Sequence, residues 1–312
     1  MSNLLIILEK IFFLLALLTA GGFAGKFKLI GDDGERDLSR LLVDFFWPAA
    51  IFSSITSGLK PDATNVILPF TALITAFVGL GLGFLAVGIF KFKDDRKKVF
   101  LYHSSINNFV FMAIPFVSLF YGERGLGLLF LHNLGYILFL WTFGVGLLHE
   151  KQTAGMALKR MVNPGLIATF LGILFVVFGI KLPPLVSSVF DTMGAPTTLI
   201  AMIVAGNRIY KLGIKVLKFD VWNIALGLIR LILVPALLFI PAYFLRPYID
   251  VEVLGIFMIV NVMPVSVNSI SLAKRYGVKA GPAAEGLVFT HLFGIGTMAV
   301  YLYFIKMFFA AA

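Results

Sequence analysis

The chain contains no cysteine, so disulfides, thiolate metal ligands and cysteine nucleophiles are all excluded. Charge is scarce at 13%, and acid scarcer still, with 16 Asp and Glu against 26 Lys and Arg. Motifs for phosphate and metal chemistry are missing too. "HEKQT" (149–153) opens like a zinc-protease helix but places Thr153 where the second histidine belongs. "AGGFAGKF" (20–27) puts Ala20 at the first glycine of a phosphate-binding loop and Phe27 at its Ser or Thr. No DDxxD-type acidic motif falls inside an apolar run. No ATP-driven engine, hydrolytic centre, cofactor or metal site is therefore expected.

What fills the 312 residues is hydrocarbon: 60% hydrophobic residues and a mean hydropathy of +0.98. That does not describe a soluble domain. Spanning a bilayer takes about 20 apolar residues per helix. Ten such runs occur, at 4–26, 39–58, 66–90, 99–120, 125–148, 163–180, 184–206, 221–245, 251–273 and 282–307. Their connections are too short for a soluble domain, and the first run is expected to be a span rather than a separate cleavable signal. The fold class expected is all-α, in a lipid bilayer.

A net charge of +10 raises the question of nucleic acid, but the distribution answers it. Lys and Arg cluster at the connections after runs one, three, five, seven and nine; only Lys10, Lys60, Arg124, Lys181, Arg246, Lys306 and the intramembrane Arg230 lie elsewhere. Positive residues favour the cytoplasmic side. Both termini are thus expected outside, in a cytoplasmic membrane of a bacterium or archaeon, with no nucleic-acid partner. "KFKDDRKK" (91–98) reads as a solvated loop.

The halves echo each other. Pro48 and Gly58 in "PAAIFSSITSG" have the spacing of Pro196 and Gly206 in "PTTLIAMIVAG", and Pro115 finds a counterpart in Pro264 at nearly the same offset. Residues 1–148 and 163–312 would then be two five-helix repeats joined by a linker at 149–162. Five is odd, so the second copy enters the membrane inverted. Inverted repeats with interrupted helices mark many secondary transporters, whose sites lie near the midplane.

Polar residues inside the runs concentrate on the fourth and ninth. Asn107, Asn108 and Pro115 lie in the fourth; Asn261, Pro264, Ser266, Asn268, Ser269 and Ser271 lie in the ninth. Two helices that unwind at their prolines and cross would present amides and helix ends to a ligand; interhelical hydrogen bonding is the plainer alternative. Arg230 lies roughly 14 Å into the eighth run at about 1.5 Å per residue. It can attract an anion or satisfy carbonyls at the crossing. Asp44, His103 and Glu285 sit near cytoplasmic ends, where snorkelling or capping accounts for them. His132 and His291 are deeper and can carry protons. Gly79, Gly81 and Gly83 are expected at a close helix contact.

These stretches resemble the auxin efflux carrier family, which includes the plant PIN transporters and bacterial malate- or malonate-type permeases. "NFVFMAIPFVSLFYG" (108–122) is similar to the plant pattern N-T-L-V-M-G-I-P-L-L…M-Y-G, with asparagine seven residues before proline in both. "MPVSVNSISLAKRYG" (263–277) is similar to L-P-Q-G-I-V-P-F-V-F-A-K-E-Y at Pro264, Ala273, Lys274 and Tyr276. "IRLILVP" (229–235) matches M-R-F-V-V-G-P at Arg230 and Pro235, and Asn163-Pro164 matches a family N-P. The resemblance covers the whole chain. It implies ten helices as inverted repeats, similar to bile-acid and sodium–proton transporters. Helices one, two, six and seven would form a scaffold, usually dimeric; three to five and eight to ten would form a moving transport domain. By that match Asn108 would hold the substrate's anionic group, with Pro115 and Pro264 at the crossover. Gly165 replaces a second plant asparagine and Ser269 a second plant proline, which sets auxin aside as cargo.

The expectation is a secondary carrier of small organic anions, working by elevator-type alternating access. Asn108, Asn107, Asn261 and Asn268 form its polar crossover, with Ser53 and Ser54 facing it from the scaffold. Proton or sodium coupling stays open. A membrane receptor or sensor, a membrane-embedded enzyme and a sodium-coupled symporter of the bile-acid type are the alternatives.

Overall fold

The computed structural model describes residues 3–60, 62–149 and 153–309. Glu150, Lys151 and Gln152 of the "HEKQT" segment, and with them part of the expected linker, lie outside the described residues. Twelve helical elements follow in order: α1 (Asn3–Lys26), α2 (Asp32–Gly58), α3 (Ile67–Phe90), α4 (Asp94–Ser105), α5 (Ala113–Leu148), α6 (Ala154–Met161), α7 (Pro164–Val177), α8 (Pro184–Leu212), α9 (Val221–Leu245), α10 (Val251–Asn261), α11 (Ser269–Arg275) and α12 (Ala280–Phe309). No strand occurs among the described residues, only one isolated bridge. Seven helices are long and apolar enough to cross a bilayer: α1, α2, α3, α5, α8, α9 and α12; α7 and α10 are shorter apolar helices. Apolar sequence in lipid must become helix, because only there are its backbone groups satisfied within the segment.

Small residues set how closely these helices approach. A Cβ added to Gly206 of α8 would stand 1.9 Å from the Leu18 carbonyl oxygen of α1. Gly79 and Gly83 of α3 likewise abut Ser104 of α4. Gly81, expected at the same contact, faces open space, because it lies two residues from each and so on another side of the helix. α1 packs along α8, and α2 along α7 and α8. On the other side, α3 packs against α4 and α5, α10 against α5 and α9, and α12 against α9, α10 and α11. Contacts of α2 and α8 with α5, and of α1 with α12, join the two groups.

The helices break where their sequence demands. At Gly122, with φ +60° and ψ −151°, the backbone leaves the helix, so α5 is two helices joined at a break only glycine adopts readily. Two runs that would have spanned as single helices are each split by a non-helical segment of extended and turn residues, at 106–112 and 262–268. Pro264 lies in the second segment, as expected. Pro115 does not lie in the first: it is the third residue of α5, inside the first turn, where a missing N–H costs nothing. The "KFKDDRKK" stretch also differs from expectation. From Asp94 onward it is the first turn of α4, with Asp94 and Asp95 at the positive helix end.

Candidate functional site

The two non-helical segments meet. Asn107 bridges antiparallel to Val265, and the Asn108 backbone N–H donates to the Pro264 carbonyl at 2.8 Å. Breaking a helix in hydrocarbon frees backbone groups that must be satisfied by protein, and side chains do so here. The Asn107 amide donates to Val260 O at 2.5 Å, and Arg230 to Asn261 O at 2.7 Å, covering two carbonyls at the end of α10. The Asn133 amide donates to Phe109 O at 3.1 Å, and Phe111 N donates to Asn108 Oδ1 at 3.1 Å. Val265 N donates to Thr290 Oγ1 at 3.4 Å, and Arg208 Nη1 to Val267 O at 3.3 Å.

Asn108 is the hinge of this arrangement, 2% exposed. Its Oδ1 caps the turn entering α5, while its Nδ2 lies 3.4 Å from His291 Nε2. His291 Nδ1 is 2.9 Å from the Leu287 carbonyl, which can only accept, so Nδ1 carries the proton and Nε2 accepts from Asn108. Beside the crossing lies a cavity of about 240 Å³ whose polar lining is Tyr102, Asn108, Trp141, Ser266, Asn268, Ser271 and Arg275. Phe109, Val110, Phe111, Leu140 and Leu272 complete it. Exposed Ser271 and Arg275 bring one edge to the surface. No acidic side chain lines it among the described residues.

The expected residues are thus sorted. Asn108, Asn268 and Ser266 are brought together at the cavity, and Asn268 also accepts from Arg208 at 3.3 Å. Asn107 and Asn261 lie behind the crossing, the Asn261 amide bonding Phe257 O at 2.8 Å. Ser269 opens α11 and is buried beside the crossing rather than in the cavity wall. Ser53 and Ser54 do not face the crossing. Ser53 donates to Asp191 of α8, and Ser54 to Glu123 at the α5 break, 2.7 Å away. Of the two roles open to Arg230, the structure shows carbonyl satisfaction.

Glu285 is tied to Lys218 at 2.5 Å and Arg96 at 3.5 Å, away from the cavity. Asp44 pairs with Arg40 at 3.6 Å, half-exposed as a snorkelling residue would be. His103 corrects its expectation: it is fully buried among Tyr102, Trp222 and Gly286, so snorkelling does not describe it. His132 is buried against Tyr136 and Phe257. Asn133, Thr290 and Arg208 serve the crossing and went unread. Arg208 looked like one more loop charge; Asn133 alone carried a signal, an amide deep in an apolar run.

A family described as Membrane transport protein matches residues 6–302. A protein of Methanocaldococcus jannaschii described as an uncharacterized transporter is 24% identical over 303 residues, covering 94% of this chain and 97% of the relative. Nearly all of the helical chain, crossing included, is therefore matched, and the auxin-efflux-carrier-like stretches fall inside the match. The chain belongs to this membrane transport protein family, the auxin efflux carrier family, and is a multi-pass membrane transporter rather than an enzyme.

Proposed function

We propose that the protein is a secondary carrier of small organic carboxylates. The cavity at the crossing carries this reading: its polar lining is amides, hydroxyls and one arginine, without a carboxylate. The first turn of α5, the positive end of that helix's dipole, follows directly on the lining residues Phe109–Phe111. Such a wall stabilises an anion by charge-assisted hydrogen bonds and repels a metal cation. At about 240 Å³, the cavity is smaller than the ~300–1,000 Å³ of drug-sized sites, which favours a small acid.

The ten apolar runs, the break at Gly122 and the two crossing segments support ten spans arranged as inverted repeats, residues 1–148 and 163–312. With both termini outside in a cytoplasmic membrane, the cavity edge at Arg275 opens inward. α1, α2, α7 and α8 would be the scaffold, through which a homodimer forms. The remaining spans would slide against it as an elevator. The Ser54–Glu123 and Arg208–Val267 contacts join the two groups and would have to exchange during that movement.

The test is a thermal-shift screen of purified protein against carboxylates, matched organic cations and sugars. Stabilisation by one or more small carboxylates is expected. A broad panel in which only cations or sugars stabilise would overturn the reading.

A further inference from the structure

Arg230 is a buried charge with too few partners. Its side chain is 0% exposed. It hangs from a wide π-type turn at Leu228–Leu233 in α9. Nη2 bonds Asn261 O, while Nε and Nη1 have no hydrogen-bond partner and the guanidinium makes no ion pair among the described residues. A bare cation in hydrocarbon costs several kcal/mol unless its surroundings compensate.

Oxygens gather in the same buried region. Asn261 ends α10, and a helix C-terminus carries roughly half a negative charge. Asn107 Oδ1 and Asn261 Oδ1 are buried and unpartnered among the described residues. The Tyr136 hydroxyl stands close to Arg230, Asn107 and Thr75 without hydrogen-bond geometry to any of them. Backbone carbonyls at a half-helix C-terminus, such as Asn261 O here, are the ligands with which interrupted helices hold sodium or a proton.

We propose that the Arg230 guanidinium is a tethered cation occupying the cation position behind the crossing, so that the carrier works without a dissociable alkali-metal ion. The inference rests on the carrier reading above and settles the coupling question for this position. A dissociable ion would have to load and leave in each cycle. Arg230 stays with α9 and offers up to five N–H donors to the oxygens around it.

The test uses the full chain in detergent with sodium and guanidinium as probes and no carboxylate present, so it can fail independently of the carboxylate screen. Native protein is expected to bind no radioactive sodium saturably and to melt at the same temperature in sodium and choline chloride of equal concentration. Arg230→Ala is expected to melt lower and to regain stability saturably with millimolar guanidinium or sodium. Arg230→Lys, which keeps a cation, is expected to show no such rescue. Saturable sodium binding by the native protein overturns the proposal. So does an Arg230→Ala variant that folds and responds to neither ion. If Arg230→Ala yields no folded protein, the native sodium measurement and the Arg230→Lys comparison still decide.

Discussion

Asn107 and Asn108 are neighbours in sequence and opposites in role, so alanine at each separates holding the crossing together from holding a ligand. In Asn108→Ala, the Phe111 N–H loses its acceptor at a buried site, a cost of about 1–3 kcal/mol. The contact to His291 at 3.4 Å is long and adds little. The fold should survive with a lowered melting temperature. If the cavity-facing amide of Asn108 donates to a carboxylate, its loss also removes a charge-assisted bond of about 1.5–3 kcal/mol, or about 10- to 150-fold in affinity. Asn107→Ala removes the 2.5 Å bond to Val260 O, yet that carbonyl also accepts from Met263 N. Its stability should fall comparably or less, with carboxylate affinity kept within about twofold. Melting followed by the emission of the three tryptophans gives stability, and calorimetric titration with a carboxylate from the screen gives affinity. If folded Asn108→Ala binds as the native protein does while Asn107→Ala does not, the assignment of faces at the crossing is wrong.

Two further outcomes follow from packing and charge. Gly79→Ala places a Cβ 2.1 Å from the Ser104 carbonyl oxygen and should cost about 1–3 kcal/mol as overpacking; Gly81→Ala meets open space and should be neutral or stabilising by up to ~1 kcal/mol. Equal melting temperatures for the two would refute the α3–α4 contact. Asp220 caps α9; burial pushes its pKa up, but hydrogen bonds from Asn223 N and from Arg96 at 2.5 Å outweigh that and hold it below the ordinary value. A depressed folded-state pKa stabilises above the unfolded value and is lost as pH falls through the folded one. The melting-temperature gap between native protein and Asp220→Asn should therefore be full above about pH 5, shrink as pH falls through about 4 and be lost only below the lowered folded-state pKa. A gap independent of pH would count against it.

The apolar runs and the position of the crossing were legible because lipid leaves a sequence few options. A run of about 20 apolar residues must be helix, and paired prolines with amides mark where it cannot be. What the sequence hid is rotation and reach. Ser53 and Ser54 are adjacent on α2, and nothing in their spacing says that one turns to Asp191 and the other to Glu123. Pro115 pointed at the break but falls three residues past its end at 106–112, because proline is well tolerated in the first turn of a helix. His103 lay close to a run of lysines and so looked superficial, whereas α4 carries it under Trp222 and Gly286. Arg208 reaches the crossing from α8, a tertiary contact with no local signature.

The crossing also has two electrical faces, and they follow from which helix ends it exposes. Toward the cavity stand the Asn108 amide, the hydroxyls of Ser266 and Ser271 and Arg275, a donor-rich wall without acid among the described residues, with the start of α5 just behind Phe111. Behind it stand the end of α10, the oxygens of Asn107 and Asn261, and a single guanidinium. A broken helix produces both kinds of end at once, since the C-terminal end of one stub and the N-terminal end of the next carry partial charges of opposite sign. Each needs an opposite partner in a medium without water. On one face that partner is Arg230, which never leaves. On the other it is supplied by Asn108 only in part, and the remaining positive potential is open to a ligand. On the carrier reading proposed above, a site charged in this way would bind an anion without a metal beside it, because the compensating cation is already built into α9.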